Sequence, residues 1–203
     1  MAQFMGKRRE PQMVQETEVK VYNVDLMKVR TILDRQATLV KKVRIKDTYF
    51  TTKLNSTIKI RIREEEGTGT LTIKTNKKYI DKHKVEQEHN ATGPLSDLFR
   101  ILGELGCKKR EYIEMDREYY DLAGASVEIC KLPQVKPFLE IEGTPAKILA
   151  AAHKLEIKEK DFSTIGPRKH FGQVSTDWTF NAPFSRRASH IKAMPQAPQT
   201  KHR

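Results

Sequence analysis

From residue 14 to 142 the chain alternates apolar and polar positions with a period of two, the signature of strands with two unlike faces. In Glu16-Thr17-Glu18-Val19-Lys20-Val21 one face carries Glu16, Glu18 and Lys20. In Thr57-Ile58-Lys59-Ile60-Arg61-Ile62-Arg63 three isoleucines oppose Lys59, Arg61 and Arg63. Leu71-Thr72-Ile73-Lys74, Lys84-Val85-Glu86-Gln87-Glu88 and Phe138-Leu139-Glu140-Ile141-Glu142 repeat the arrangement. Segments 39–50, 112–122 and 126–131 complete a set of eight strands. Three stretches break the alternation with a helical period. Asp25 is placed to cap a helix to about residue 35, with Leu26, Val29, Ile32 and Leu33 on one side. Residues 95–105 gather Leu95, Leu98, Phe99, Leu102 and Leu105, and Gly106 stops them. Thr144-Pro145 then opens a third helix, whose stripe is Ile148, Leu149 and Ala152.

The pattern predicts an α+β fold whose helices cover the apolar strand faces. The charged faces then meet solvent or one another. Each strand carries a block of one sign or a carboxylate pair, where a solvated sheet face would mix Thr, Ser and Gln. Eight antiparallel strands closed into a barrel would gather these faces in a charged tunnel, with the helices packed outside. The inward bases are Lys20, Lys59, Arg61, Arg63, Lys74, Lys84 and Arg117. The inward acids are Glu16, Glu18, Glu86, Glu88, Glu128, Glu140 and Glu142. Cross-strand ion pairing on an open sheet explains any one strand. Glu-x-Glu occurring three times argues for the tunnel.

Net charge changes the picture at the ends. The chain has 203 residues and a formal charge of +12. Residues 164–203 carry +6 and the first ten carry +2, leaving +4 for 11–163. The division is therefore a basic N-terminal tail at 1–13, a tunnel domain at 14–163, and a basic C-terminal tail at 164–203. The tail's Pro, Ala, Ser and Gln mixed with positive charge predict disorder. These ends are candidates for contact with RNA or polyphosphate. No apolar run reaches the length of a membrane span, and the N-terminus lacks a secretory apolar region. Two cysteines, Cys107 and Cys130, cannot build a disulfide framework, so the expected location is the cytoplasm.

Alternate strand residues lie about 6.6–6.8 Å apart on one side. Carboxylate pairs at that spacing suit a hard divalent cation such as Mg²⁺, which takes carboxylates, phosphate oxygens and water. Rows of Lys and Arg suit phosphate. One cavity with both fits an anion carrying several phosphoryl groups. A glycine-rich phosphate loop is absent, which excludes a P-loop enzyme.

Glu16-x-Glu18-x-Lys20 resembles the signature of the CYTH domain, or triphosphate tunnel metalloenzymes. That family includes class IV adenylyl cyclases, thiamine triphosphatases and inorganic triphosphatases. The resemblance continues through Asp47-Thr48-Tyr49-Phe50, Ile60-Arg61-Ile62-Arg63, Leu71-Thr72-x-Lys74, Lys84-x-Glu86-x-Glu88, Arg117-x-x-Tyr120 and Phe138-Leu139-Glu140-Ile141-Glu142-Gly143. It implies an eight-stranded antiparallel tunnel, Mg²⁺ or Mn²⁺, and a triphosphate-bearing small molecule. It assigns Glu16, Glu18, Glu140 and Glu142 to metal, with Glu86 and Glu88 from the facing wall. It assigns Lys20, Arg61, Arg63, Lys74 and Arg117 to phosphate. Where the family usually has Lys and Asp, this chain has Met115 and Cys130. Glu128, on the same strand face as Cys130, is the substitute carboxylate. The expected activity is metal-dependent hydrolysis of a triphosphate. The alternatives are cyclisation of ATP to cyclic AMP and pyrophosphate, or a degenerate module that binds without turnover.

Overall fold

The computed structural model describes residues 14–53, 57–133 and 135–171. Residues 1–13 and 172–203, the greater part of both basic ends, lie outside the described residues. β1 (Val14–Val21) leads into α1 (Leu26–Gln36). β2 (Thr38–Thr51), β3 (Lys59–Glu65), β4 (Thr68–Ile80) and β5 (His83–Gly93) follow. α2 (Leu95–Glu104) precedes β6 (Lys108–Leu122), β7 (Ala125–Lys131) and β8 (Phe138–Glu142). α3 (Pro145–Lys154), a 3-10 turn (Glu159–Asp161), β9 (Phe162–Ser163) and α4 (Pro167–His170) complete the chain.

The strands pair antiparallel in the order β5-β4-β3-β2-β6-β7-β8-β1, and β1 pairs back to β5. Eight strands thus close on themselves and leave no open edge among them. β9 adds a two-residue ladder at Lys20 and Val21 of β1. Hairpin turns hold the register. Ala123 and Gly124 both take positive φ, 56° and 73°, so a two-residue turn aligns Leu122 with Ala125. At Gly69 an added Cβ would meet Leu98 Cδ1 at 2.9 Å, so α2 lies close against β4 there.

The apolar faces turn outward onto the helices. Val29 and Leu33 of α1 and Ile148, Ala151 and Ala152 of α3 pack on Val19, Val127, Ile129, Leu139 and Ile141. Leu98 and Leu102 of α2 cover Phe50, Ile60 and Ile62. The anticipated helix starts are present: Asp25 accepts from the Lys28 amide at 3.1 Å, and Thr144 caps α3 ahead of Pro145. Both faces of β1 are consequently buried, Val19 by helices and Glu18 and Lys20 by the barrel interior.

Three features exceed the alternation. β4 and β5 run on to meet at Ile80↔His83, although Lys77 and Lys78 break the pattern. Ladder hydrogen bonds of the hairpin sustain these turns of strand without an apolar face. Residues 164–171, grouped with the C-terminal tail by composition, pack on the barrel. Tyr22 Oη donates to Ile165 O at 2.6 Å, His170 stacks on Tyr22 at 3.7 Å between ring centroids, and Phe171 meets both Tyr22 and Phe138. β9 and α4 are too short to show a period. Among the described residues no helix is long and apolar enough to cross a membrane.

Candidate active site

All fourteen charged residues expected in the tunnel line one cavity of about 890 Å³. Strand phase explains this. Glu16, Glu18 and Lys20 share a face of β1, and closure sets Glu16 opposite Glu86 and Glu18 opposite Lys84. On the other side Glu18 meets Glu142 and Lys20 meets Glu140. Lys59 pairs with Lys74, and Glu128 pairs with Glu140.

The charges fall into connected groups. Lys20 Nζ lies 2.7 Å from Glu18 and 3.1 Å from Glu140. Arg117 reaches Glu140 at 3.1 Å and also pairs with Glu128. Lys74 joins Glu16 at 2.6 Å and contacts Glu88, while Lys84 pairs with Glu18 and lies 2.8 Å from Glu86. Lys59 has no carboxylate partner among the described residues and sits 5.0 Å over the Tyr49 ring. Lys59 opens to the lumen, and enclosure by the tunnel wall with Lys74 and Lys84 nearby lowers its ammonium below the usual lysine value.

The acids are not equally satisfied. Against the opposing effect of burial, Arg117 and Lys20 hold Glu140 well below the usual carboxylate range. Burial pushes Glu142 up to about 7, and Glu128, Glu18 and Glu88 add repulsion. Burial and a hydrogen bond with Glu88 push the Glu16 carboxyl up to about 8. Glu86 Oε2 and Glu88 Oε1 are buried, and the Lys84 and Lys74 ammoniums stand beside them as counter-charges. Crowded carboxylates such as Glu142 among Glu128, Glu18 and Glu88 fit a hard divalent cation, which relieves their repulsion. Glu16, Glu18, Glu86, Glu88, Glu140 and Glu142 present carboxylate oxygens to this lumen. Among the described residues, the group of three whose ligand atoms all lie within 4.8 Å of one another is Glu128, Cys130 and Glu140. There the Arg117 guanidinium already bridges both carboxylates.

Sequence reasoning assigned no role to Asp47. It is fully buried, and Arg63 donates to it twice at 2.8 Å, while Arg61 Nη1 lies 3.8 Å away. Arg61 also donates to Thr72, which donates to Asn90. The signal was available: Asp47 shares a face with Ile45 and Tyr49, opposite Arg63. An apolar wall was also missed. Ile113, Met115, Leu132 and Phe138 line the same cavity. Met115, Cys130, Leu132 and Phe138 cluster there with Tyr22 and Ile45. Thr164, Gly166 and Pro167 line its mouth from the C-terminal segment.

A closed antiparallel tunnel with carboxylate pairs facing Lys and Arg rows defines a class of protein. The CYTH domain model matches residues 14–166, and the chain belongs to that family. Solved structures share the fold. A conserved hypothetical protein from Pyrococcus furiosus is 23% identical with a TM-score of 0.61, covering 73% of this chain and 94% of that one. A putative adenylate cyclase from Vibrio parahaemolyticus is 12% identical at TM-score 0.65, covering 77% and 97%. A putative adenylyl cyclase from Hippeastrum, described as revealing a dominant triphosphatase activity, is 12% identical at TM-score 0.50, covering 77% and 93%. No curated protein matches the chain.

Proposed function

We propose that the protein hydrolyses a triphosphate-bearing substrate in the tunnel with Mg²⁺ or Mn²⁺. The observation that carries this reading is the meeting of crowded carboxylates and phosphate-binding cations in one cavity. A bound divalent cation supplies charge neutralisation at the phosphoryl oxygens and orients the nucleophile. Glu16, Glu18, Glu86, Glu88, Glu140 and Glu142 would hold it. Arg61 and Arg63, fixed by Asp47, present guanidinium donors to phosphate oxygens without having to be ordered on binding. Lys59, without a carboxylate partner, gives its ammonium to the substrate at little cost in lost ion pairing. Lys20, Lys74, Lys84 and Arg117 each exchange part of a carboxylate contact for phosphate as the anion enters.

The Hippeastrum relative's triphosphatase description favours hydrolysis over cyclisation. The deciding experiment incubates the protein with ATP, tripolyphosphate or thiamine triphosphate, with Mg²⁺ or Mn²⁺. Orthophosphate release dependent on the metal is the expected result. Cyclic AMP with pyrophosphate would make it a cyclase. Saturable binding without product would make it a binding module. Glu142→Gln keeps the side chain's size and removes one charge from the donor set. It should cut metal-dependent turnover by roughly 10²–10³-fold, and near-normal turnover at saturating metal would remove Glu142 from the site.

A further inference from the structure

Arg61 is held differently from the cations around it. Lys20, Arg63, Lys74, Lys84 and Arg117 each stand within 3.1 Å of a carboxylate oxygen. Among the described residues Arg61 comes no nearer to a carboxylate than 3.8 Å, at Asp47 Oδ2. Its hydrogen-bond partner is neutral: Arg61 Nη2 donates to Thr72 Oγ1 at 3.2 Å. Thr72 Oγ1 in turn donates to Asn90 Oδ1 at 2.7 Å. Strand register builds this relay. Arg61 stands opposite Thr72 in the β3–β4 ladder, and Thr72 stands opposite Asn90 in the β4–β5 ladder. All three therefore lie in one row across the barrel wall. Thr72 is fully buried, whereas Asn90 is exposed.

The direction of the relay matters. A hydroxyl has one proton to give. Asn90 takes it, so a lone pair of Thr72 Oγ1 is left facing the guanidinium. Hydrogen bonds in such a chain also polarise and strengthen one another. The relay thus orients Arg61 without neutralising it. A carboxylate in Thr72's place would hold the guanidinium more strongly, and would compete with an incoming phosphate for the same charge. Arg61 Nη1 faces Asp47 and Nη2 faces Thr72, while Nε is buried and has no hydrogen-bond partner among the described residues. Arg63 shows the reverse arrangement, with Nε and Nη2 both taken by Asp47. A buried N–H left unpaired is costly, and Arg61 lines the cavity where a ligand oxygen would meet it.

Resting on the triphosphate reading of the tunnel, we infer that Thr72 and Asn90 are positioning residues that set the Arg61 guanidinium for a phosphate oxygen, with its Nε–H as the donor kept for that oxygen. Holding Arg61 in place beforehand removes the ordering cost from the binding step.

The test is calorimetric binding of tripolyphosphate to the full chain, with and without Mg²⁺. Thr72→Val keeps the shape of the side chain and removes the hydroxyl, and it should weaken binding about tenfold. Thr72→Ser restores the hydroxyl and should bind within about twofold of the wild type. Asn90→Ala, at an exposed position, breaks the same relay without touching the core and should weaken binding about threefold. In an Arg61→Gln background Thr72→Val should cost nothing further, because its effect runs through the guanidinium. Wild-type affinity in both Thr72→Val and Asn90→Ala overturns the inference while the tunnel reading stands. So does an equal loss for Thr72→Val in the wild-type and Arg61→Gln backgrounds, which is the mark of a merely structural threonine. Failure of the wild-type chain to bind tripolyphosphate with or without Mg²⁺ overturns the tunnel reading as well.

Discussion

Arg63 on β3 and Glu142 on β8 face the same lumen, but they are held in opposite ways. Arg63 is gripped by Asp47 through two bonds of 2.8 Å, with every partner inside the wall. Asp47 is fully buried, and its arginines hold it in the charged state. Glu142 has no ion pair among the described residues, and burial with neighbouring carboxylates pushes it up to about 7. The first wall is complete without a ligand. The second leaves Glu142 among like charges. Charged residues alike in sequence thus divide into those that shape the tunnel and those that wait for its contents.

The largest expected effect breaks this contrast directly. Asp47→Asn removes one charge and leaves the Arg61 and Arg63 guanidiniums buried without their counter-ion. Breaking such a pair costs about 3–5 kcal/mol, to be read as a lower denaturant midpoint in metal-free protein. Glu142→Gln in the same experiment should leave the midpoint unchanged or raise it, because it removes a repelled charge. Equal losses for the two variants would show that the walls do not differ.

How much of this was legible follows from what each residue must satisfy. Glu16, Glu18, Lys20, Lys59, Arg61, Arg63 and Lys74 stand on strands whose period of two survives in the sequence, so strand phase alone places them inward. Closure was legible for a similar reason, since those faces had no other way to leave water together. Asp47 was not singled out because its partners lie 14 and 16 residues away on β3, and only the β2–β3 register brings them together. Met115 and Cys130 were legible as neighbours on the tunnel wall, but their joining Leu132 and Phe138 in an apolar patch was not, because single apolar residues look like ordinary core. Residues 164–171 were misplaced by composition: Tyr22, Phe138 and Ile165 hold them to the barrel despite their polar surroundings.

A smaller effect sharpens the comparison by moving outside the tunnel. Glu118 points away from the lumen, yet Arg30 at 2.5 Å, Lys131 at 2.6 Å and Tyr120 at 3.1 Å all donate to it. Against the opposing effect of burial, these donors bring it down to about 2. A depressed carboxyl contributes stability that is present above its unfolded value of about 4.5 and lost as pH falls toward 2. Its cationic partners are partly exposed, so solvent screening reduces the contribution to about 1–2 kcal/mol. Glu118→Gln should lower stability by that amount at pH 7 and by progressively less as pH falls through about 2. A difference that stays constant between pH 7 and pH 2 would mean lost packing and not lost charge.

The smallest effect concerns Met115 and Cys130, where a pocket of apolar wall interrupts the charged lumen. Arg117 lies directly opposite Cys130 in the β6–β7 ladder, so Met115 is Cys130's diagonal neighbour. Arg117 Nε also approaches Met115 Sδ at 3.1 Å, and Met115 and Cys130 cluster with Phe138. Met115→Lys alone would set a second cation beside Arg117. Cys130→Asp alone would set a third carboxylate beside Glu128 and Glu140. Each should destabilise the fold, because an added buried charge meets its own sign first. Together the new Lys and Asp neutralise each other, and the net charge of the lumen returns to its present value. A double-mutant cycle on stability should therefore show favourable coupling above about 0.5 kcal/mol. The competing account is that Arg117 and Glu128 already complete this patch and Met115 simply packs. In that case neither new charge gains from the other, the two losses add, and an additive cycle rejects compensation.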